Sequence, residues 1–176
     1  MTTVERSFAR VDAALRGYLR ILPASGFTPL FTCTQVGTQQ LSETAQSALP
    51  DGLGQYLRSM NEKLDAILSL LTRQTLQEDF PVPVLIHDIS GAGLRFSAER
   101  EFDLGQGVEI VVALGNQTRT LAGTLGFVIR AEEHREGKVW AVDFKDIRDS
   151  EREKIIQFVV ATQREQIRER HLASQS

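Results

Sequence analysis

Asp88-Ile-Ser-Gly-Ala-Gly93, followed by Leu94-Arg95-Phe96, is the stretch that decides the fold of this chain. The apolar run Val84–Ile89 that leads into it is rich in β-formers and predicts a strand. The glycines supply turn chemistry because glycine reaches positive φ without strain, and the alternation after them predicts a second strand. Such a turn can present the Asp88 and Ser90 side chains to a polar ligand. Alternatively, it is an ordinary hairpin turn whose side chains bond their own backbone.

More strand and turn signals follow at short intervals. Alternating apolar residues predict strands near Val108–Val112, Arg119–Ala131 and Lys138–Phe144, with glycine-rich or polar turns between them. Short strands at this spacing indicate an antiparallel sandwich or barrel.

The pattern changes from strand to helix after the last of these strands. A Ser-x-x-Glu capping box lies within Asp149–Glu153. The apolar residues beyond it fall on one helical face and are Ile156, Val159, Val160 and Ile167. The expected fold class is therefore α+β. We expect a small antiparallel β-barrel of about six strands in residues 80–176, closed by a C-terminal helix and preceded by amphipathic helices.

This order of elements resembles the PilZ domain family over roughly residues 80–170. The shared motifs are Asp88-x-Ser-x-x-Gly93, Leu104-Gly-Gln-Gly107, Ala141-Val-Asp-Phe144 and a terminal helix that opens with Ser150-Glu-Arg. The resemblance implies a six-stranded barrel and a role in cyclic di-GMP signalling, with motility, pili, biofilm or virulence as the regulated process. It also makes Asp88, Ser90 and Gly93 candidate ligand-binding residues. Arg95 is added as a neighbouring cation, and Arg130 is a further arginine that could lie near them.

The family also places two arginines, in the pattern R-x-x-x-R, just ahead of its first strand. Arginine suits cyclic di-GMP because its planar fork donates two bonds to phosphate or guanine and stacks on bases. In this sequence the segment ahead of the first predicted strand, Val84–Ile89, is Thr72–Pro81. That segment holds one arginine, Arg73, and two acids that would repel the ligand. Other arginines four apart fall in segments with a helical pattern, where the spacing indicates a solvated face. They are the pairs Arg6/Arg10, Arg16/Arg20 and Arg164/Arg168.

A heptad pattern occupies residues 49–79, ahead of the predicted barrel. Six apolar residues, here called the seam, follow the 4-3-4-3-4 spacing of a and d positions. They are Leu53, Leu57, Met60, Leu64, Ile67 and Leu71. Burial of each is worth about 1.5–3 kcal/mol, so the pattern predicts an oligomerisation helix. Leu at a with Ile at one d position favours a homotetramer over a dimer. The alternative is packing against the chain's own barrel or its N-terminal helix.

Residues 1–48 are expected to form an N-terminal helical segment with a polar linker. A first helix is predicted by the spacing of Val4, Phe8, Val11, Leu15, Tyr18 and Leu22. The linker runs from Phe27 to about Gln40, and a short helix is predicted for Ser42–Leu49. Helices in this position resemble a tetramer-forming branch of the PilZ family known from xanthomonads, to which Leu57–Leu68 is similar. The barrel of that branch lacks the arginine motif, which implies action through protein partners.

Composition argues against several other classes of protein. The formal net charge of −3 gives no basic field for nucleic acid. The single cysteine, Cys33, cannot form an internal disulfide, which predicts a cytoplasmic protein. No apolar run approaches the ~18 residues that a membrane span needs. No hydrolase, P-loop or zinc-protease motif is present, so we expect no enzyme activity, no metal and no cofactor.

Two functions remain. The first is a non-catalytic, oligomeric adaptor of cyclic di-GMP signalling that acts through an unidentified signalling or motility protein, with direct nucleotide binding in doubt. The alternative is a genuine cyclic di-GMP receptor that uses Asp88, Ser90, Gly93 and arginines from another part of the chain.

Overall fold

The computed structural model contains a closed barrel of six antiparallel strands and two long helices. It describes residues 8–24, 28–31, 50–115, 120–134 and 137–173. In chain order the elements are β1 Arg10–Ile21, α1 Asp51–Asp79, β2 Val82–Ser90, β3 Gly93–Ser97, β4 Gly107–Ala113, β5 Leu121–His134, β6 Gly137–Lys145 and α2 Asp149–Ala173. The predicted fold class, a six-stranded barrel with a C-terminal helix and a long helix ahead of β2, is confirmed.

The strands follow one another around the barrel in the order β1-β2-β3-β6-β5-β4. β1 closes the ring because it pairs with β2 on one side and with β4 on the other, as in the pairs Arg16–Leu85 and Tyr18–Val111. A closed barrel leaves no unpaired strand edge, so every strand has two hydrogen-bonded neighbours.

The inward-facing side chains form one apolar core. Trp140 lies in this core with its ring centroid 5.8 Å from that of Phe96 and 5.2 Å from that of Phe102. Aromatic pairs at these separations add to the energy of burial alone. The other large core residues include Leu19, Ile86, Ile89, Leu94, Ile110, Ile155 and Val159.

The helix predicted for the N-terminal segment is wrong over residues 10–21, which form β1. Val11, Leu15 and Leu19 are buried in the barrel. A spacing of four fits both patterns, since it is close to one helical turn and is also an even number of strand residues. The inward positions between them are small: Ala13 packs on the core, and a Cβ on Gly17 would meet the Val84 side chain at 3.0 Å. The barrel is therefore not confined to residues 80–176.

The long helix α1 forms where the heptad pattern predicts it. Its first turn begins at Pro50, whose carbonyl accepts hydrogen bonds from the N–H groups of Leu53 and Gly54 at 2.9 and 3.0 Å. It ends before Phe80 and Pro81. Within this single chain five seam residues are exposed, namely Leu53, Met60, Leu64, Ile67 and Leu71. Leu57 is half-buried. By internal contacts the chain divides into two compact units, Met1–Cys33 with Gln77–Ser176, and Thr34–Leu76.

The C-terminal helix α2 covers the barrel with a face that overlaps the predicted one at Val159. Ile155 and Val159 are buried and Ile156 is half-buried, whereas Val160 and Ile167 are exposed. The packed face is the row Glu151, Ile155 and Val159, which are four residues apart. Cys33, the predicted helix 42–49 and most of the predicted linker lie outside the described residues. Among the described helices, none is long and apolar enough to cross a membrane.

Candidate functional site

The turn between β2 and β3 is closed by the side chain of Ser90. Its hydroxyl accepts hydrogen bonds from the N–H groups of Ala92 and Gly93 at 3.3 and 3.2 Å, and donates to the Gly93 carbonyl at 3.1 Å. Ser90 is also buried. Ser90 therefore hydrogen-bonds the backbone of its own turn, as the second of the two alternatives for this turn expects.

Gly93 is needed because two strands approach each other closely. A Cβ at this position would lie well under 3.0 Å from the carbonyl oxygen of Val142 on β6. Backbone oxygen cannot move aside as a flexible side chain can, so any larger residue would push β3 away from β6. Ser90 and Gly93 therefore shape the turn, and their contact with a ligand stays a prediction.

Asp88 is a fully buried carboxylate that lies between two arginines. Arg95 Nε donates a short hydrogen bond to its Oδ2, and Arg10 Nη1 lies 3.2 Å from its Oδ1. The bond to Asp88 is the main reason that the pKa of Arg95 is raised above its ordinary value. Oδ1 has no hydrogen bond of good geometry among the described residues, so the Arg10 contact is an ion pair only. Loss of either arginine would leave the buried Asp88 charge incompletely paired, so the ion pairs hold both arginines in place.

Arg10 is placed by the segment that leads into β1. It pairs across the strands with Ser90, and its side chain is 41% exposed, which leaves guanidinium donors facing solvent. Phe8, two residues earlier, covers the turn itself, since a Cβ on Gly91 would lie 2.7 Å from its ring. On its other side the Phe8 ring lies 5.9 Å from the Arg152 guanidinium of α2.

The position of β1 changes where the arginine motif must be sought. Val82 begins the second strand of the barrel, so Thr72–Pro81 does not precede the first one. The segment that leads into β1 and ends at its first residue is Arg6-Ser-Phe-Ala-Arg10, which has the R-x-x-x-R pattern. Arg6 lies outside the described residues. The prediction that Arg6/Arg10 and Arg16/Arg20 mark a helix face is wrong, because Arg10, Arg16 and Arg20 lie on β1. Arg164 and Arg168 lie on α2, as predicted.

A second set of charges adjoins Arg95 on the outer face of the barrel. Arg95 pairs with Ala141 on β6, and Ala141 pairs in turn with Arg130 on β5. Glu132 contacts both arginines, with its carboxylate oxygens 2.7 Å from Arg130 Nε and 3.5 Å from Arg95 Nη1. Of the two arginines expected near the turn, Arg95 contacts Asp88, and Arg130 is connected to Arg95 through Glu132. The role of Glu132 could not be inferred from sequence, because it depends on the strand register.

A buried carboxylate on β4 holds a segment that follows β1. Glu109 accepts hydrogen bonds from the N–H groups of Leu30 and Phe31 at 3.2 and 2.9 Å, and from Arg20 Nε at 2.6 Å. The segment Thr28–Phe31 is called the strap. Its Phe31 ring covers Gly123, where a Cβ would clash with it. The only sequence signal for this contact is the acidic residue Glu109 within an otherwise apolar strand.

His87, one residue before Asp88, is bonded away from the turn. His87 Nε2 lies 2.8 Å from Ser97 Oγ across β2 and β3, where the two side chains satisfy each other. Over the described part of the chain there is no group of three or more metal-ligating side chains.

Comparison with known proteins identifies the domain family of the barrel. Residues 61–161 match the family model of the PilZ domain. A tetrameric PilZ protein from Xanthomonas campestris, described as self-assembled through a helical bundle, has a similar structure with a TM-score of 0.59. The two chains are 15% identical and each is covered to 92%. No curated protein matches the sequence.

Two further solved structures share the fold to different extents. The Bacillus subtilis inhibitor of motility, MotI/DgrA, matches 90% of this chain with a TM-score of 0.51 and 13% identity. This chain spans 51% of the length of that protein. The third structure is the PilZ domain of Escherichia coli YcgR, solved with cyclic di-GMP. The match spans 51% of this chain and 77% of the YcgR chain, with a TM-score of 0.39 and 14% identity.

Proposed function

Because the chain belongs to the PilZ domain family, we propose that it is a non-catalytic effector of cyclic di-GMP signalling that binds the nucleotide beside Arg10. The observation that supports this most directly is the ion pair between Arg10 Nη1 and Asp88 Oδ1 at 3.2 Å. It brings Arg10, the last residue of the R-x-x-x-R pattern, beside Asp88 of the D-x-S-x-x-G turn, although the two lie far apart in the sequence.

The chemistry of the ligand fits this surface. Cyclic di-GMP offers two phosphates and two guanines, and an arginine can pair with either through two parallel hydrogen bonds. Asp88 contacts Arg10 Nη1, and 41% of the Arg10 side chain stays exposed to a ligand in solvent. Phe8 fixes the chain beside the turn, so the arginine needs little further ordering when a ligand arrives. Pre-ordered groups bind more tightly because less conformational entropy is lost.

This proposal reverses the order of the two functions expected from the sequence. Direct binding was doubted because Thr72–Pro81 contains a single arginine. That segment does not precede the first strand, so its composition is no argument against a ligand. The receptor alternative requires arginines from another part of the chain, and we assign this role to Arg6 and Arg10.

Calorimetric titration of cyclic di-GMP into the wild type, Arg10→Gln and Arg16→Gln tests the proposal. Arg16 is a matched control because it is an exposed arginine on the same strand. A charge-assisted hydrogen bond is worth about 1.5–3 kcal/mol, so Arg10→Gln should weaken binding about 10- to 100-fold. Arg16→Gln should bind like the wild type. Absence of binding to the wild type, or equal losses in both variants, would contradict nucleotide binding at Arg10.

We also propose that the protein assembles through α1 and acts on a protein partner, as an oligomeric adaptor does. Five of six seam residues are exposed in the single chain. Burial of each of these residues against a partner helix would stabilise the assembly by about 1.5–3 kcal/mol. The Xanthomonas protein is described as a tetramer held by a helical bundle, which supports a tetramer here. The Bacillus protein is an inhibitor of motility, so a motility protein is a reasonable partner to test. Cytoplasmic location stays a prediction.

Light scattering of the wild type, Leu64→Glu and Gln55→Glu tests the assembly. Leu64 is a seam residue, whereas Gln55 lies on the opposite side of the heptad, and each substitution adds the same charge. The wild type and Gln55→Glu should have the mass of a tetramer, and Leu64→Glu a smaller mass. A monomeric wild type, or an unchanged mass in Leu64→Glu, would exclude assembly through the seam.

A further inference from the structure

Two arginines and a histidine converge on the carboxylate of Glu132. Arg130 Nε lies 2.7 Å from one oxygen, and Arg95 Nη1 and His134 Nε2 each lie 3.5 Å from the other. Glu132 is thus the anion at the centre of a cationic group drawn from two strands, β3 and β5, which are not neighbours in the barrel.

A small residue lies on the strand between them. Ala141 on β6 pairs with Arg95 on one side and with Arg130 on the other. Ala141 is buried, and the Arg95 and Arg130 side chains stand on either side of its methyl group with Glu132 in contact with both. The carboxylate between them offsets the repulsion between the two arginine charges.

A phosphodiester resembles the carboxylate that now fills the position. Both groups have a charge of −1 and two oxygens that accept parallel bonds from an arginine fork. Exchange of one for the other keeps the local charge unchanged. The Arg130 side chain is 58% exposed and that of Glu132 is 33% exposed, so Glu132 can rotate into solvent without any backbone movement.

We propose that Arg95 and Arg130 form a second anion subsite, which takes a phosphate group, and that Glu132 is its built-in competitor. The identity of the natural ligand rests on the proposed function: the subsite would take the second phosphate of cyclic di-GMP. Arg95 connects the two places, because its Nε bonds Asp88 while its Nη1 faces Glu132. Removing the competitor should therefore strengthen anion binding, although it deletes two ion pairs.

Inorganic pyrophosphate tests the subsite without assuming the natural ligand. The arginine Nε–H signals of Arg95 and Arg130 would be followed by NMR in the wild type, Glu132→Gln and Glu133→Gln. Glu133 is the matched control because it removes the same charge from the adjacent residue and contacts Lys138 instead, at 4.0 Å. In Glu132→Gln both signals should shift at an about fivefold lower pyrophosphate concentration. This is the gain in affinity expected when one like charge is removed at contact distance. Equal titrations in all three proteins, or shifts that miss Arg130, would overturn the proposal.

A titration with cyclic di-GMP separates this inference from the proposed function. If the wild type binds the nucleotide and Glu132→Gln binds it about fivefold more tightly, both stand, and Arg130→Gln should lose the gain. If the nucleotide binds equally to the wild type and Glu132→Gln, the subsite is wrong and the proposed function stands. If neither protein binds the nucleotide but pyrophosphate still distinguishes Glu132→Gln from Glu133→Gln, the subsite stands and the proposed function fails.

Discussion

Arg10 on β1 and Asp88 on β2 form an ion pair of 3.2 Å, although the whole of α1 lies between them in the sequence. The pair exists only because β1 inserts between β2 and β4 and closes the barrel. Closing the barrel and assembling the candidate ligand site are therefore the same event. A change that loosens β1 should weaken both the fold and the site.

Asp88→Asn should destabilise the protein by about 1–3 kcal/mol. The carboxylate is fully buried, and the amide cannot compensate the charges of Arg10 and Arg95. The loss is smaller than for a fully buried pair because the arginine side chains are 41% and 28% exposed. Urea unfolding of the variant measures it. Asp103→Asn, an exposed acid ahead of β4 and outside this charge cluster, should change the free energy of unfolding by less than about 0.5 kcal/mol. Equal effects at the two positions would contradict the importance of the ion pairs.

Gly93→Ala should destabilise the barrel by about 1–3 kcal/mol, the usual range for overpacking. The added Cβ would clash with the Val142 carbonyl of the neighbouring strand. Gly54→Ala is the matched control, because a Cβ there meets nothing within 4 Å and lies on helix α1. Alanine replaces glycine in a helix with a gain of up to about 1 kcal/mol. Thermal unfolding of both variants should thus give shifts of opposite sign, and a stable Gly93→Ala would show that β3 and β6 can separate at little cost.

The parts of the fold that could be predicted from sequence are those made of local contacts. β3 alternates between apolar and polar residues, β6 is rich in β-formers, and α1 follows an unbroken heptad pattern. β1 was missed because Val11, Leu15 and Leu19 fit a helix as well as a strand. Only its pairing with distant β2 and β4 decides between the two.

The candidate site was predicted in part for the same reason. Asp88, Ser90 and Gly93 lie within one turn, so their motif could be recognised locally. Arg10 was assigned to a helix because β1 was, and with it the arginine motif was sought beside the wrong strand. The contacts of Glu132 and Glu109 follow from strand register and from the strap, which no local pattern encodes.

Acid should remove the stabilisation that Glu132 provides. Its pKa lies below the ordinary value of 4.5, first because it is hydrogen-bonded to His134 and further because Arg130 and Arg95 are close. A carboxylate with a lowered pKa in the folded state stabilises that state above its unfolded pKa, and the effect is lost as pH falls through the folded pKa. The wild type should therefore melt above Glu132→Gln near pH 6, and the difference should vanish toward pH 3. The same comparison in an Arg130→Gln background should show a smaller difference. A difference that persists at pH 3 would assign the effect to packing and not to charge.

Glu109→Gln should release the strap from the barrel. The carboxylate accepts two backbone N–H groups, from Leu30 and Phe31, and pairs with Arg20. Hydrogen bonds to a charged group contribute about 1.5–3 kcal/mol each, and a neutral amide oxygen keeps only part of that. Amide hydrogen exchange at Leu30 and Phe31 should accordingly become about 10- to 100-fold faster, while exchange in β3 and β6 stays slow. Glu101→Gln is the control, since Glu101 is 75% exposed and pairs with Lys138 outside the strap. If Leu30 and Phe31 exchange equally fast in the wild type and in Glu109→Gln, the buried carboxylate does not hold the strap. Faster exchange throughout the barrel would mean instead that Glu109 stabilises the whole fold.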